Sequence, residues 1–318
     1  MTDINRRQFL QWAASGAAAL VVSPVMAHLA TDSQGLHLND PLTRSTGKGR
    51  SAFTLWQLGT QANLIGNSYV FRTASGKICV MDGGFRQDEY YLRGFLKGLG
   101  GHVDTWFVTH PHIDHMGSLT HILQRPLGIK VDRIYHSRFD EALIKSRKVD
   151  EQHCREFYAA LDQAAHTEVI DIQQPGYEGQ IDGMHFRFLT VADTLYAHNS
   201  YNNGSMITRI WDDRKSIVFL GDMGEEEGLK VLASPWRKDL DCDYLQMAHH
   251  GQWACKRHFY ETVKFKACLW STPRKFWDND DGQGPGTAKY EVPKTKAWMD
   301  DLGIKEHHVS WMGLWQLD

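Results

Sequence analysis

The sequence predicts an α/β (α+β) sandwich folded as a single domain. Three observations carry the prediction. Short runs rich in β-branched, aromatic and other apolar residues recur along the chain and read as strands. Segments of helical spacing are interleaved with them, and mostly antiparallel strands alternating with helices form a layered sandwich. The chain has 318 residues, and loss of an N-terminal leader leaves about 290, near the upper limit for one hydrophobic core.

The elements follow in order. Strand-like runs occupy residues 53–58, 67–72 and 77–81, and a helix follows over 88–99. Residues 103–108 form a short buried strand, and a helix covers 118–123. A strand at 130–135 precedes a helical region, 140–165, where Phe157, Leu161 and Ala164 mark one apolar face. Strands return at 168–172 and 185–189. A hairpin over 205–220 turns at Asp212-Asp213-Arg214-Lys215, and a helix at 225–232 leads to the strand before His249. Residues 28–50 read as a polar, irregular arm, and 278–286 as an exposed loop.

Composition excludes several classes. At 42% hydrophobic and 23% charged residues the chain is soluble and globular. Its net charge of −3 advertises no basic surface for nucleic acid. Lys145, Arg147 and Lys148 read as a solvated helix face. Of the five cysteines, Cys79 and Cys268 lie in apolar runs as buried thiols, while export permits a disulfide among Cys154, Cys242 and Cys255. Trp253, Trp270, Trp277, Trp311 and Trp315 fall near the functional region or the C-terminus. Most are expected in the core, with one or two free to stack on a ring or a choline-like cation.

The first residues resemble a twin-arginine export signal. Asn5-Arg6-Arg7-Gln8-Phe9-Leu10 carries the arginine pair, an apolar stretch runs over 12–22, and Val25-Met26-Ala27 offers a cleavage site. The apolar stretch is short for a membrane span. The resemblance implies the twin-arginine translocase as partner, export of an already folded and metal-loaded protein, and a mature periplasmic chain beginning at His28 without a membrane span.

The chemistry concentrates in Thr109-His110-Pro111-His112-Ile113-Asp114-His115-Met116-Gly117, on the loop leaving strand 103–108. Four potential metal ligands fall within six residues. Two neutral imidazoles one residue apart, His110 and His112, can grip one ion, and Asp114 with His115 a second. Imidazole and carboxylate suit zinc, and also manganese or iron.

This run resembles the HxHxDH signature of the metallo-β-lactamase superfamily. Ile78 to Gly84 is similar to that family's strand ending in an Asp-Gly turn. Ile217 to Asp222 is similar to the strand that delivers a bridging aspartate, and Tyr244 to Gly251 to the strand and loop that deliver the last histidine. The resemblance spans residues 53–318 and implies a four-layer αββα sandwich, with domain boundaries at 1–27 (signal), 28–50 (arm) and 51–318 (hydrolase). It further implies two divalent ions, zinc foremost. His110 and His112 hold metal one, Asp114 and His115 hold metal two, and Asp222 bridges them. One of His249 and His250 completes metal two, and the other contacts substrate or acts as a general acid. An aspartate at position 222 can also cap helix 225–232. Asp82 is expected to orient a ligand rather than bind metal.

The family's further histidine on metal one has no clear counterpart. The matching region, Ala197 to Ser205, contains His198 as a possible substitute. Asn203 and Ser205 resemble an Asn-x-Ser pattern in the branch holding ComEC-like DNA-uptake and phosphorylcholine-esterase domains. The resemblance implies an exported hydrolase in which a metal-bridging hydroxide, oriented by Asp114, attacks a phosphoester, with phosphodiesters foremost. A small-molecule or envelope-derived substrate fits, and nucleic acid enters only as substrate. A carboxyl-ester, lactone or β-lactam hydrolase is the alternative on the same fold, and a non-catalytic DNA-binding or uptake component the alternative of another class. A redox di-iron protein of the superfamily usually carries Glu at the second motif position, where this chain has His112.

Overall fold

The computed structural model describes residues 50–318. The signal segment, the cleavage site and nearly all of the irregular arm lie outside the described residues. The chain enters with strands β1 (Phe53–Gln57), β2 (Ser68–Thr73) and β3 (Ile78–Asp82) and helix α1 (Glu89–Gly98). Then come β4 (His102–Val103), β5 (Thr105–Phe107), α2 (Ile113–Gln124), β6 (Lys130–Val131), β7 (Arg133–His136), α3 (Glu141–Lys145), α4 (Lys148–Asp162) and β8 (Glu168–Asp171). The second half contains β9 (Glu178–Ile181), β10 (Met184–Phe188), α5 (Ser200–Asn203), β11 (Thr208–Trp211), β12 (Ser216–Phe219), α6 (Glu225–Leu232) and β13 (Tyr244–Gln246). It closes with α7 (Arg257–Thr262), β14 (Ala267–Trp270), α8 (Arg274–Trp277), α9 (Val292–Asp301), β15 (Glu306–Val309) and β16 (Trp315–Leu317).

The strands build two seven-stranded sheets, ordered β16-β1-β2-β3-β5-β7-β8 and β15-β14-β13-β12-β11-β10-β9, beside a small β4-β6 pair. The expectation of mostly antiparallel pairing is corrected. In the first sheet the ladders from β16 to β3 are antiparallel and those from β3 to β8 parallel. The second sheet repeats the pattern, antiparallel from β9 to β12 and parallel from β12 to β15. Parallel neighbours need a crossover, and the helices between them supply it.

Period-two alternation sorts side chains between layers. Strand β3 sends Cys79 and Met81 into the inter-sheet core and Ile78 and Val80 toward the helices. Likewise β12 sends Ile217 and Phe219 inward and Val218 outward. Three apolar cores result: one under α1, α2 and α4, one between the sheets, and one under α6, α7 and α9. Three cores separate four layers, which is the αββα sandwich.

All five cysteines are free thiols. Cys154 packs under the first sheet and Cys242 and Cys255 under the second, and none of the disulfides that export permits among them is formed. Of the tryptophans singled out, Trp270 is fully buried, Trp277, Trp311 and Trp315 pack at core margins, and Trp253 is 56% exposed. The loop 278–286 is largely exposed, as expected. Among the described residues, no helix is long and apolar enough to cross a membrane.

Candidate metal centre

The C-terminal ends of β3, β5, β12, β13 and β14 meet at one rim, and every functional side chain arises there. At the end of β3, Asp82 takes a left-handed backbone (φ 59°) and is fully buried. Its carboxylate accepts from the Thr109 backbone N–H at 2.8 Å and from Asn67 Nδ2 at 2.6 Å, and its Oδ2 lies 2.8 Å from His115 Nδ1. Asp82 therefore orients His115 and ties the motif loop to β3, as the sequence leads one to expect. With Nδ1 donating to that carboxylate, His115 Nε2 keeps its lone pair for the centre.

Past β5 the chain runs through His110 and His112 and enters α2 at Ile113, so Asp114 and His115 stand in its first turn rather than on a loop. The helix begins five residues earlier than the sequence predicts, and Gly117 lies inside it. Gly117 permits a close approach: a Cβ there would lie 2.9 Å from the Arg86 backbone nitrogen. Asp114 at the start of a helix is also favoured by the helix dipole.

Strand β12 delivers Asp222. Gly221 precedes it at φ 56°, where the buried amide of Gln246 brackets the turn, with Oε1 accepting from Gly221 N at 2.8 Å. Ser205 Oγ accepts from the Asp222 N–H at 3.1 Å. Helix α6 is capped by Gly224, so the capping alternative for Asp222 falls away and its carboxylate turns into the centre. Beyond β13, His249 and His250 both hold left-handed backbones, at φ 49° and 56°. Such strain costs of order 1–3 kcal/mol per residue and persists only where surrounding contacts impose it. Here Gly251, at φ 83° with Trp270 packed against it, imposes the turn.

Two groups of ligand atoms converge, each with its members within 4.8 Å of one another: Asp114, His115, Asp222 and His250, and His110, His112 and Asp222. Asp222 belongs to both. His115 Nε2 lies 3.0 Å from Asp222 Oδ1, His250 Nε2 3.0 Å from Asp114 Oδ2, and His250 Nε2 3.5 Å from Asp222 Oδ1. On the other side His110 Nε2 is 2.9 Å from His112 Nδ1 and 3.8 Å from Asp222 Oδ2. Ligand atoms at zinc distances, about 2.1 Å from a tetrahedral ion, stand about 3.4 Å apart, so the spacing fits. His115 Nε2 and Asp222 Oδ1 are buried without a hydrogen-bond partner among the described residues, which marks atoms awaiting a cation.

Of the histidine pair, His250 joins the second group. Its Nδ1 lies 2.9 Å from the Ser271 carbonyl, which fixes the tautomer with Nε2 facing the carboxylates. His249 stays at the margin, 3.7 Å from Asp222 and 19% exposed. His198 is not in either group. It is exposed, and its backbone N–H donates to Glu226 at 3.2 Å. His198 therefore supplies no third histidine, and the imidazole nearest the His110 side is His249, whose Nε2 stands 3.7 Å from the same Asp222 Oδ2 that His110 faces. Asn203 and Ser205 act on the frame: Asn203 Oδ1 accepts from Glu227 N at 3.1 Å and Ser205 holds Asp222.

Electrostatics describe an anionic pocket. Burial works against the charge on His115, yet Asp222, Asp82 and Asp114 together raise its pKa well above the ordinary value. Burial likewise opposes the charge on His250, but Asp222 and Asp114 lift it to about 9. Burial also raises Asp222 and Asp114, and the histidines outweigh it, holding both carboxyls low. His110 is held well below the usual range by burial and by the charge of His115. The buried carboxylates thus draw protons onto His115 and His250, and a divalent cation would replace those protons at Nε2.

Sequence reading misses Asp150 on α4, whose Oδ2 lies 3.3 Å from His112 Nε2, and Tyr201 on α5, which stacks on the His112 ring. A first-turn acid on an exposed helix reads as a dipole partner, and Arg147 beside it reads as surface. In fact Arg147 Nε forms an ion pair with Asp150 Oδ2 at 2.8 Å.

Glu227 beside the centre carries a pH dependence. It is fully buried, receives the Tyr196 hydroxyl and so pins the 191–199 loop to α6. Burial, against the weaker pull of Lys230, raises its carboxyl to about 8. The folded state then keeps a proton that the unfolded chain releases near pH 4.5. This contribution is full below that pH and is lost as pH rises toward about 8. Glu227→Gln is expected to remove it. The stability gap between wild type and variant, read by urea unfolding at pH 5 and 8.5, should change by on the order of a few kcal/mol. A gap that does not move with pH refutes the assignment.

The profile of the Metallo-beta-lactamase superfamily matches residues 62–254, and that of twin-arginine translocation pathway signal sequences matches residues 3–23. A Caenorhabditis elegans protein described as a Beta-lactamase-like protein 2 homolog is 32% identical over 106 residues. That match spans 33% of this chain and 33% of the relative. Among solved structures, the metallo-beta-lactamase fold protein YhfI from Bacillus subtilis is similar at TM-score 0.51 and 14% identity, covering 83% of this chain and 99% of that one. A diphosphatase of the PhnP family gives TM-score 0.47 at 15% identity, covering 84% and 97%. With the family profile matched over more than half of this chain, from ahead of the strand bearing Asp82 to beyond the His249-His250 pair, the chain belongs to the metallo-β-lactamase superfamily and carries a twin-arginine signal.

Proposed function

We propose that the protein is an exported hydrolase of phosphoesters, phosphodiesters foremost, working with two divalent ions, zinc first among them. The observation that carries the two-ion reading is the sharing of Asp222 between two converging ligand groups. His110, His112 and Asp222 would hold one ion, and Asp114, His115, His250 and Asp222 the other. Bound there, the ions would acidify a water and neutralise charge on a substrate oxygen.

The chain's own residues set what happens around them. Asp82 and the Ser271 carbonyl fix the tautomers of His115 and His250, so each offers a lone pair. Asp114 would orient the attacking water. His249, partly exposed and outside both groups, is placed to meet the substrate or pass a proton to its leaving oxygen.

Phosphoester over acyl substrate rests on two points. Asn203 and Ser205 resemble the phosphoesterase-bearing branch. His198 lies outside both ligand groups and His249, beside Asp222 Oδ2, is partly exposed, so the His110 side opens toward a substrate oxygen. A phosphoryl group presents oxygens to two ions together, whereas an acyl carbonyl presents one. The test sets wild type beside His112→Ala on a phosphodiester chromogen, a lactone or ester, and a β-lactam. Metal-dependent phosphodiester turnover that falls by about a hundredfold or more in the variant supports the reading. Acyl turnover alone moves the protein to the lactonase side, and a salt-sensitive DNA shift without turnover revives the binding alternative.

The twin-arginine match supports export to the periplasm. N-terminal sequencing of protein from that fraction should begin at His28, and an intact Met1 in the cytosol would refute it.

A further inference from the structure

His112 is gripped from three directions. Its Nδ1 faces the centre, 2.9 Å from His110 Nε2. One ring face stacks on Tyr201, with centroids 5.2 Å apart and planes within 11°. Tyr201 is itself anchored, its hydroxyl donating to the Ile144 carbonyl at 2.8 Å and its ring meeting Phe139 edge-on. The far nitrogen, Nε2, lies 3.3 Å from Asp150 Oδ2. Asp150 is only 16% exposed at its side chain and is steadied by Arg147 Nε at 2.8 Å.

We propose that Asp150 is a positioning residue for the ion on the His110 side. Its carboxylate stands against His112 Nε2 and favours a proton on that nitrogen, which leaves the lone pair on Nδ1 and holds the ring toward the shared Asp222. The inference rests on the reading of His110 and His112 as metal ligands. It also explains how a position built on two imidazoles and a shared carboxylate is held firm. A carboxylate behind a ligating imidazole raises its basicity and orders its ring, and removal of such a partner typically weakens metal binding about 10–100-fold. Asp150 is not itself a ligand in this geometry, because it faces the nitrogen opposite to the one that points inward. Helix α4 thereby reaches the centre through one contact, although it contributes no member of either ligand group.

The test is cobalt(II) and zinc titration of the full chain against a chromophoric chelator, for wild type, Asp150→Ala and Asp150→Asn. Wild type should take up two ions. Asp150→Ala should weaken one of them by about 10–100-fold and leave the other unchanged. Asp150→Asn should recover most of that loss, since its amide oxygen can stand against His112 Nε2 in the same way, and all three metal-free proteins should melt alike. Two ions held by Asp150→Ala at wild-type affinity, or equal weakening of both, would overturn the proposal while leaving the two-ion centre standing. A wild-type chain that takes up no metal would overturn the centre and this inference together.

Discussion

Asp222→Ala is expected to empty both metal positions and to lower kcat/KM by about a thousandfold or more. The carboxylate is 1% exposed, and its two oxygens face different ligand groups, Oδ1 toward His115 and His250 and Oδ2 toward His110. No other side chain belongs to both groups. Its loss removes the common ligand and leaves His115 and His250 with fewer compensating charges. Metal-ion stabilisation of charge in the transition state is worth several kcal/mol, and about 1.4 kcal/mol corresponds to each factor of ten in rate. Metal content by mass spectrometry and turnover on the best substrate of the panel provide the check. Retention of either ion at wild-type affinity would show that the carboxylate is not shared.

Phe219→Ala is expected to cost about 3–5 kcal/mol of folding stability. Phe219 is fully buried where the two sheets face each other. Its ring meets Tyr69 at 4.9 Å and Phe71 at 5.8 Å, both edge-on, and both partners belong to the opposite sheet. Truncation removes apolar burial and leaves a cavity that two rigid sheets cannot close. At roughly 2–4 °C per kcal/mol for a domain of this order of size, the melting point should fall by about 10 °C. Tyr90→Ala is the control: its side chain is 77% exposed, so the change should stay within about 0.5 kcal/mol. A loss for Phe219→Ala no larger than for the control would mean that the sheets do not depend on this aromatic contact.

Much of the centre is legible in the sequence because metal ligation demands particular residue types at short spacing. His110, His112, Asp114 and His115 announce themselves, and so does an aspartate ending an apolar strand, as at Asp82 and Asp222. The choice between His249 and His250 is not legible. It depends on two successive left-handed residues and on Ser271, which arrives from a different strand. Asp150 is invisible for a related reason: its partner His112 is 38 positions away in the sequence, and a helical Asp beside an Arg has an ordinary surface explanation. In the fold, the hairpin turn at Asp212 to Lys215 and helix α6 fall where local chemistry puts them. Strands β15 and β16, with sequences EHHV and WQL, carry too little apolar alternation to be read. Parallel pairing is set by which strands become neighbours, a long-range property that no local pattern encodes.

The ligands are divided between the halves of the molecule. Asp82 and the motif histidines hang from the first sheet, while Asp222 and His250 hang from the second. An ion coordinated from both sides binds the docked pair of sheets and neither sheet alone, so it acts as a rivet. Whatever free energy holds the metal also opposes prying the layers apart. Chelation should therefore loosen the whole sandwich as well as silence it, and amide exchange should quicken in the strands of both sheets together.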